Sequence, residues 1–221
     1  MSETRSNSYF YTSVGIFQNK DESGEAFGVI CLDADGQRYD YSLDKYQFAA
    51  WLSAHGKIIG DKEYFKCLDE FWDGTDDRNK PDEMYTVEWL YRRGLLSVGE
   101  DPHEDIAYGA CADMVFYLPI LESQITGIDL GEDAARLCRR NKLKLFTSSK
   151  REREIIEYLC SPIDETGAGT MYGHYKMLKA TYQDNDTFVK ELRKTNTALD
   201  SLLKRTMIAP VGMLSREAKV I

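Results

Sequence analysis

The chain contains no run approaching the ~18–20 consecutive apolar residues that a membrane-crossing helix requires, which argues against a bilayer span. Its five cysteines, Cys31, Cys67, Cys111, Cys138 and Cys160, are odd in number and widely scattered, with no C-x-x-C pair. A disulfide framework and a cysteine zinc site therefore lack support, and reduced thiols are expected. Histidine is equally scarce. His55, His103 and His174 are the three in the chain, and none has a Cys, His or acid at metal-ligand spacing, so no metal and no cofactor is expected. The opening MSETRSNS is polar and lacks the apolar core of a secretory signal, so the expected compartment is the cytoplasm.

What is present is a globular composition, 43% apolar and 29% charged over 221 residues, with charge of the two signs segregated along the chain. Arg136 to Arg153 carries eight basic residues and one acidic, in a protein of net charge −9. Residues 1–135 hold 11 basic and 27 acidic side chains, and 154–221 balance at nine of each. Charges this dense project a local field.

Taken in order, residues 9–43 predict a three-stranded antiparallel meander. Tyr9 to Gln18 and Ala26 to Leu32 are strand-like, Asp35-Gly36 is a hairpin signal, and Gln37 to Leu43 alternates. The pair Asp33 and Asp35 lacks the further oxygen ligands of a calcium loop and reads as turn chemistry. From Asp44 the period becomes helical. Asp44 with Gln47 forms a capping-box pattern, Asp61 opens a second helix through Trp72, and Pro81-Asp82-Glu83 a third that ends near Gly94. The intervening acidic run Asp73 to Glu83 reads as a solvated connection rather than a cation site.

Asp101-Pro102 predicts the start of a central helix running to Pro119, with Ala107, Ala110, Cys111, Met114 and Leu118 on one arc and Asp113 on the solvent side. Thr147-Ser148-Ser149 caps another helix, whose Ile155, Ile156, Leu159 and Cys160 face the core. Over the eleven residues Ser149 to Leu159 this segment is similar to the opening helix of some helix-turn-helix domains. Pro162 and a Gly-rich loop then stand where the short turn and recognition helix belong. A helix from about Met171 and a long one from Asp186 to Met207 complete the body, and the tail 208–221 reads as extended. The expected architecture is α+β: one domain over 1–221, with the meander (9–43) followed by a mainly helical body (44–207).

No local catalytic motif stands out, so the primary functional expectation is a non-enzymatic regulatory or binding protein. It would engage a macromolecule through the basic surface of Arg136, Arg139, Arg140, Lys142, Lys144, Lys150, Arg151 and Arg153. A protein partner is the default, with nucleic acid the other polyanion this patch suits. One alternative is an enzyme that grips a phosphorylated or nucleotide substrate with Gly167, Gly169, Thr170, Gly173 and His174. Another is an inhibitor that works through the acidic N-terminal face. Phe188, Leu192, Leu199, Leu202 and Leu203, with Thr195 and Thr206, form a seam on the last helix that suits either the chain's own core or a homodimer contact.

Overall fold

The computed structural model describes residues 9–20, 26–32, 37–72, 80–100, 110–112, 114–117, 148–161, 163 and 169–213. Within them the protein is α+β, with antiparallel strands first and a mostly helical body after. The elements are β1 (Tyr9–Ser13), β2 (Ile16–Lys20), β3 (Phe27–Leu32), β4 (Arg38–Leu43), α1 (Lys45–Ser53), β5 (Ile59–Gly60), α2 (Asp61–Trp72), α3 (Glu83–Arg92), β6 (Leu96–Glu100), β7 (Met114–Tyr117), α4 (Lys150–Leu159), α5 (Met171–Thr181), α6 (Asn185–Lys204) and β8 (Ala209–Met213).

The meander is present as β2-β3-β4, with Ile30 opposite Ile16 and Asp40. The stretch expected as its first strand is divided. Gly15 adopts a φ of +107°, and its amide donates to Pro210 O at 2.8 Å while that of Val14 donates to Leu95 O. A Cβ at Gly15 would lie 2.6 Å from Val29 Cγ1, so only glycine permits this turn. β1 thereby leaves the meander and becomes the centre of a second sheet, β5-β1-β6. Strands were expected to end near Leu43, yet four more follow. The expected central helix is also corrected: Ala110 and Cys111 are helical, but Met114–Tyr117 is a strand paired with β8, which lies in the supposed tail.

β3 is buried on both faces. Val29 and Cys31 join the main core, whereas Ile30 and Leu32 pack with Val211 of β8. The main core extends from Tyr11 to Ile208 and takes its bulk from Trp51, Tyr64, Trp72, Leu90 and Leu199. Trp51 is sealed from solvent and donates Nε1–H to Val14 O at 2.8 Å, so its one polar atom is satisfied. Tyr11 stacks on Tyr64 at 4.4 Å, and their hydroxyls donate to Asp61 Oδ1 and Ala50 O. Burial pushes both phenols above their ordinary value, so they remain protonated donors.

The starts of α1 and α3 are as the sequence predicts. Asp44 accepts from the amides of Tyr46 and Gln47 while Gln47 Oε1 accepts from the Asp44 amide, completing a capping box. Asp82 caps α3 by accepting from Tyr85 N at 2.8 Å. On α6, Leu192, Thr195, Leu199, Leu202 and Leu203 are buried within this chain. Five of the seven seam residues are thus used within the chain's own core, and Phe188 and Thr206 are half-buried.

Candidate polyanion-binding surface

The basic run enters the described structure at its C-terminal end. Arg136, Arg139, Arg140, Lys142 and Lys144 lie outside the described residues; Lys150, Arg151 and Arg153 lie in the first turn and a half of α4. Ser149 is the N-cap. Its hydroxyl accepts from Glu152 N, and Glu152 Oε2 accepts from Ser149 N at 2.6 Å. The local rule that starts the helix therefore also fixes where its cations stand. Lys150 and Arg153 are exposed; Arg151 is largely covered.

Two carboxylates bind α4 to α6. Glu152 is 5% exposed and accepts from Ser201 Oγ at 2.7 Å and Arg205 Nη1 at 2.9 Å, in addition to its own N-cap. Burial alone would raise its carboxyl, but the bonds from Ser201, Ser149 and Arg205 outweigh burial and hold it below the ordinary value. Glu191 of α6 is bonded by Lys194 Nζ at 2.6 Å and by the Arg151 guanidinium. The Lys194 bond lowers its carboxyl most, with Arg151 and Lys190 adding to the effect against burial. Two cations from two helices, Arg151 and Lys194, thus meet on one carboxylate. Lys190, Arg193 and Lys194 further line an open hollow along α6 with Asn185, Asp186 and Val189.

The row Lys190, Arg193, Lys194 escaped the sequence reading. Its signal was present: the spacing i, i+3, i+4 places all three on one flank of a helix. The segment was read for its apolar seam, and Glu191 disguised the local excess of positive charge.

Gly169 and Thr170, the described end of the Gly-rich loop, are held by their own chain. Gly167 lies outside the described residues. Gly169 has a φ of +74°, and a Cβ there would meet Ser161 O at 2.4 Å. Thr170 caps α5, its Oγ1 accepting from Gly173 N at 3.1 Å, while Tyr172 N donates to Ala112 O. Two amides that a phosphate would recruit already have acceptors. His174 is buried, edge-on to Tyr158 at 5.1 Å. Burial, and then the nearby Arg151 cation, push its imidazole down to about 4, so it is neutral at physiological pH.

Asp113, His103 and Cys138 lie outside the described residues. Among the described residues no group of three or more His, Cys, Asp or Glu is placed to hold a metal, and no helix is long and apolar enough to cross a membrane. No protein family, curated protein or solved structure matches the chain. The class is therefore defined by architecture alone, an α+β protein with a cation-rich helical layer.

Proposed function

We propose that the protein is a non-enzymatic binding protein that engages an acidic macromolecule through the positive surface at the start of α4 and along the first half of α6. The observation that carries this reading is the meeting of Arg151 and Lys194 on Glu191, beside the hollow that Lys190, Arg193 and Lys194 line. Glu191, and Glu154, which pairs with Arg151 at 3.1 Å and Lys150 at 3.8 Å, offset part of that charge, and Arg153 stands exposed on the adjoining helix. In an acidic chain such a locally positive surface selects partners by complementary charge and suppresses association with most others.

The test uses heparin as a probe polyanion, with binding followed by fluorescence anisotropy over a salt series. Wild type should bind at ~50 mM salt and weaken steeply as salt rises, because each neutralised anion releases a counterion. Lys190→Glu with Lys194→Glu should reduce binding at least about tenfold, while Lys62→Glu with Lys66→Glu on α2 makes the same charge change and should reduce it far less. Equal losses in both double variants, or no binding by wild type at low salt, overturn the reading.

A further inference from the structure

α5, in the same helical layer, has a composition unlike the rest of this acidic chain. From Met171 to Thr181 it contains no Asp or Glu, two lysines and two tyrosines. The buried side of the helix is formed by Met171, Gly173, His174 and Leu178. Tyr172, 50% exposed, and Lys176 and Lys179 occupy the other side. The Lys176 ammonium lies 4.7 Å from the Tyr172 ring centroid, and that of Lys179 lies 5.9 Å from the Tyr175 centroid. Tyr175 is itself packed against Phe188 of α6 at 5.7 Å, so the second pair sits on a fixed support. The nearest acids in sequence, Asp184 and Asp186, cap and open α6, beyond the C-terminal end of α5.

We propose that this face of α5 docks a single-stranded nucleic acid, with a base stacked on Tyr172 and the adjoining phosphates met by Lys176 and Lys179. The inference rests on the polyanion reading above and names the partner. An acidic peptide would use the two ammonium groups and leave the exposed ring without a role. A base has a π-face for that ring and carries its phosphate close by, so a tyrosine with lysines one turn away matches both parts of a nucleotide. A duplex keeps its bases stacked inside and presents phosphates alone, for which two lysines in a protein of net charge −9 offer little.

The experiment compares a labelled 15-mer of deoxythymidine, a duplex of equal length and heparin by anisotropy, using the full chain. Tyr172→Ala changes no charge and removes a half-exposed ring, so the fold should survive, which circular dichroism checks. This variant should bind the single strand at least about fivefold more weakly, with heparin binding unchanged. Tyr172→Phe should retain most of the single-strand affinity. Lys176→Gln with Lys179→Gln should reduce the salt slope for the single strand by about 1.4. Heparin binding intact in wild type, together with single-strand binding that ignores Tyr172→Ala, overturns this inference and leaves the polyanion reading standing. Failure of wild type to bind any of the three probes removes both. A duplex bound as tightly as the single strand also overturns the inference, because stacking would then contribute nothing.

Discussion

The two ends of the chain bury different chemistry. Around β1 and α1–α3 the interior is aromatic: Tyr11 on Tyr64, Tyr46 edge-on to Trp72, and Phe48 between Phe27 and Trp51. The polar atoms of Trp51 and Tyr64 end on backbone carbonyls. Between α4 and α6 the interior instead holds carboxylates, with Glu152 on Arg205 and Ser201, and Glu191 on Arg151 and Lys194. Aromatic burial involves few ionic contacts, and its titrating group is His55, stacked on Trp51 at 4.3 Å and pushed down by burial to about 4. Buried ion pairs are costly to desolvate and fragile once one partner is lost. The first region thus behaves as a fixed scaffold, and the second as a layer whose stability and surface charge respond to its surroundings.

The largest expected effect lies in the scaffold. Trp51→Ala should cost about 3–5 kcal/mol in denaturant unfolding, by emptying the volume of a fully buried indole and removing its hydrogen bond to Val14 O. In the helical layer, Glu152→Gln should cost about 3 kcal/mol at neutral pH, because Arg205 loses its counter-ion in a mostly covered site. The Glu152 carboxyl is held below its ordinary value of 4.5 in the folded protein. Its contribution is therefore complete above pH 4.5 and is lost as pH falls through the folded value, so the gap between variant and wild type should narrow in acid.

His174 titrates in a different window. Unfolded, it takes a proton near 6.5; folded, near 4. Between those values the unfolded chain binds the extra proton, so this group's stabilisation of about 3 kcal/mol is complete above pH 6.5 and gone by about pH 4. His174→Gln should flatten that part of the pH–stability curve, measured by thermal melts at fixed ionic strength. A curve unchanged by the substitution would place the acid sensitivity elsewhere. The smallest effect sharpens the contrast from the other side. Lys66 and Glu70 on α2 form an ion pair at 3.8 Å with both side chains mostly exposed, and Lys66→Ala should change stability by less than about 0.5 kcal/mol.

Local chemistry was legible in the sequence and distant pairing was not. Asp44 with Gln47 announces its helix through side chains three residues apart and the box forms as read, while the expected cap at Thr147-Ser148-Ser149 falls on Ser149, which also forms a box with Glu152. The buried positions Ile155, Ile156 and Leu159 also follow from helical spacing. Met114–Tyr117 read as helix because it continues an apolar run with no alternation. Its identity as a strand comes from Ala209–Met213, a partner far along the chain that no local pattern names. The division of β1 from β2 depends on one glycine at positive φ, where a Cβ would clash with Val29. At the candidate surface, Lys150, Arg151 and Arg153 were found from charge density alone. Lys194 was missed because its meeting with Arg151 on Glu191 depends on how α4 packs against α6.

The most direct test is hydrogen–deuterium exchange of the full chain with and without heparin. Binding at the positive layer predicts slowed exchange over residues 148–161 and 185–204, with α1, α2 and α3 unchanged. Protection centred on α1–α3, or the same pattern retained in the Lys190→Glu and Lys194→Glu double variant, would contradict the division into aromatic scaffold and cationic working layer.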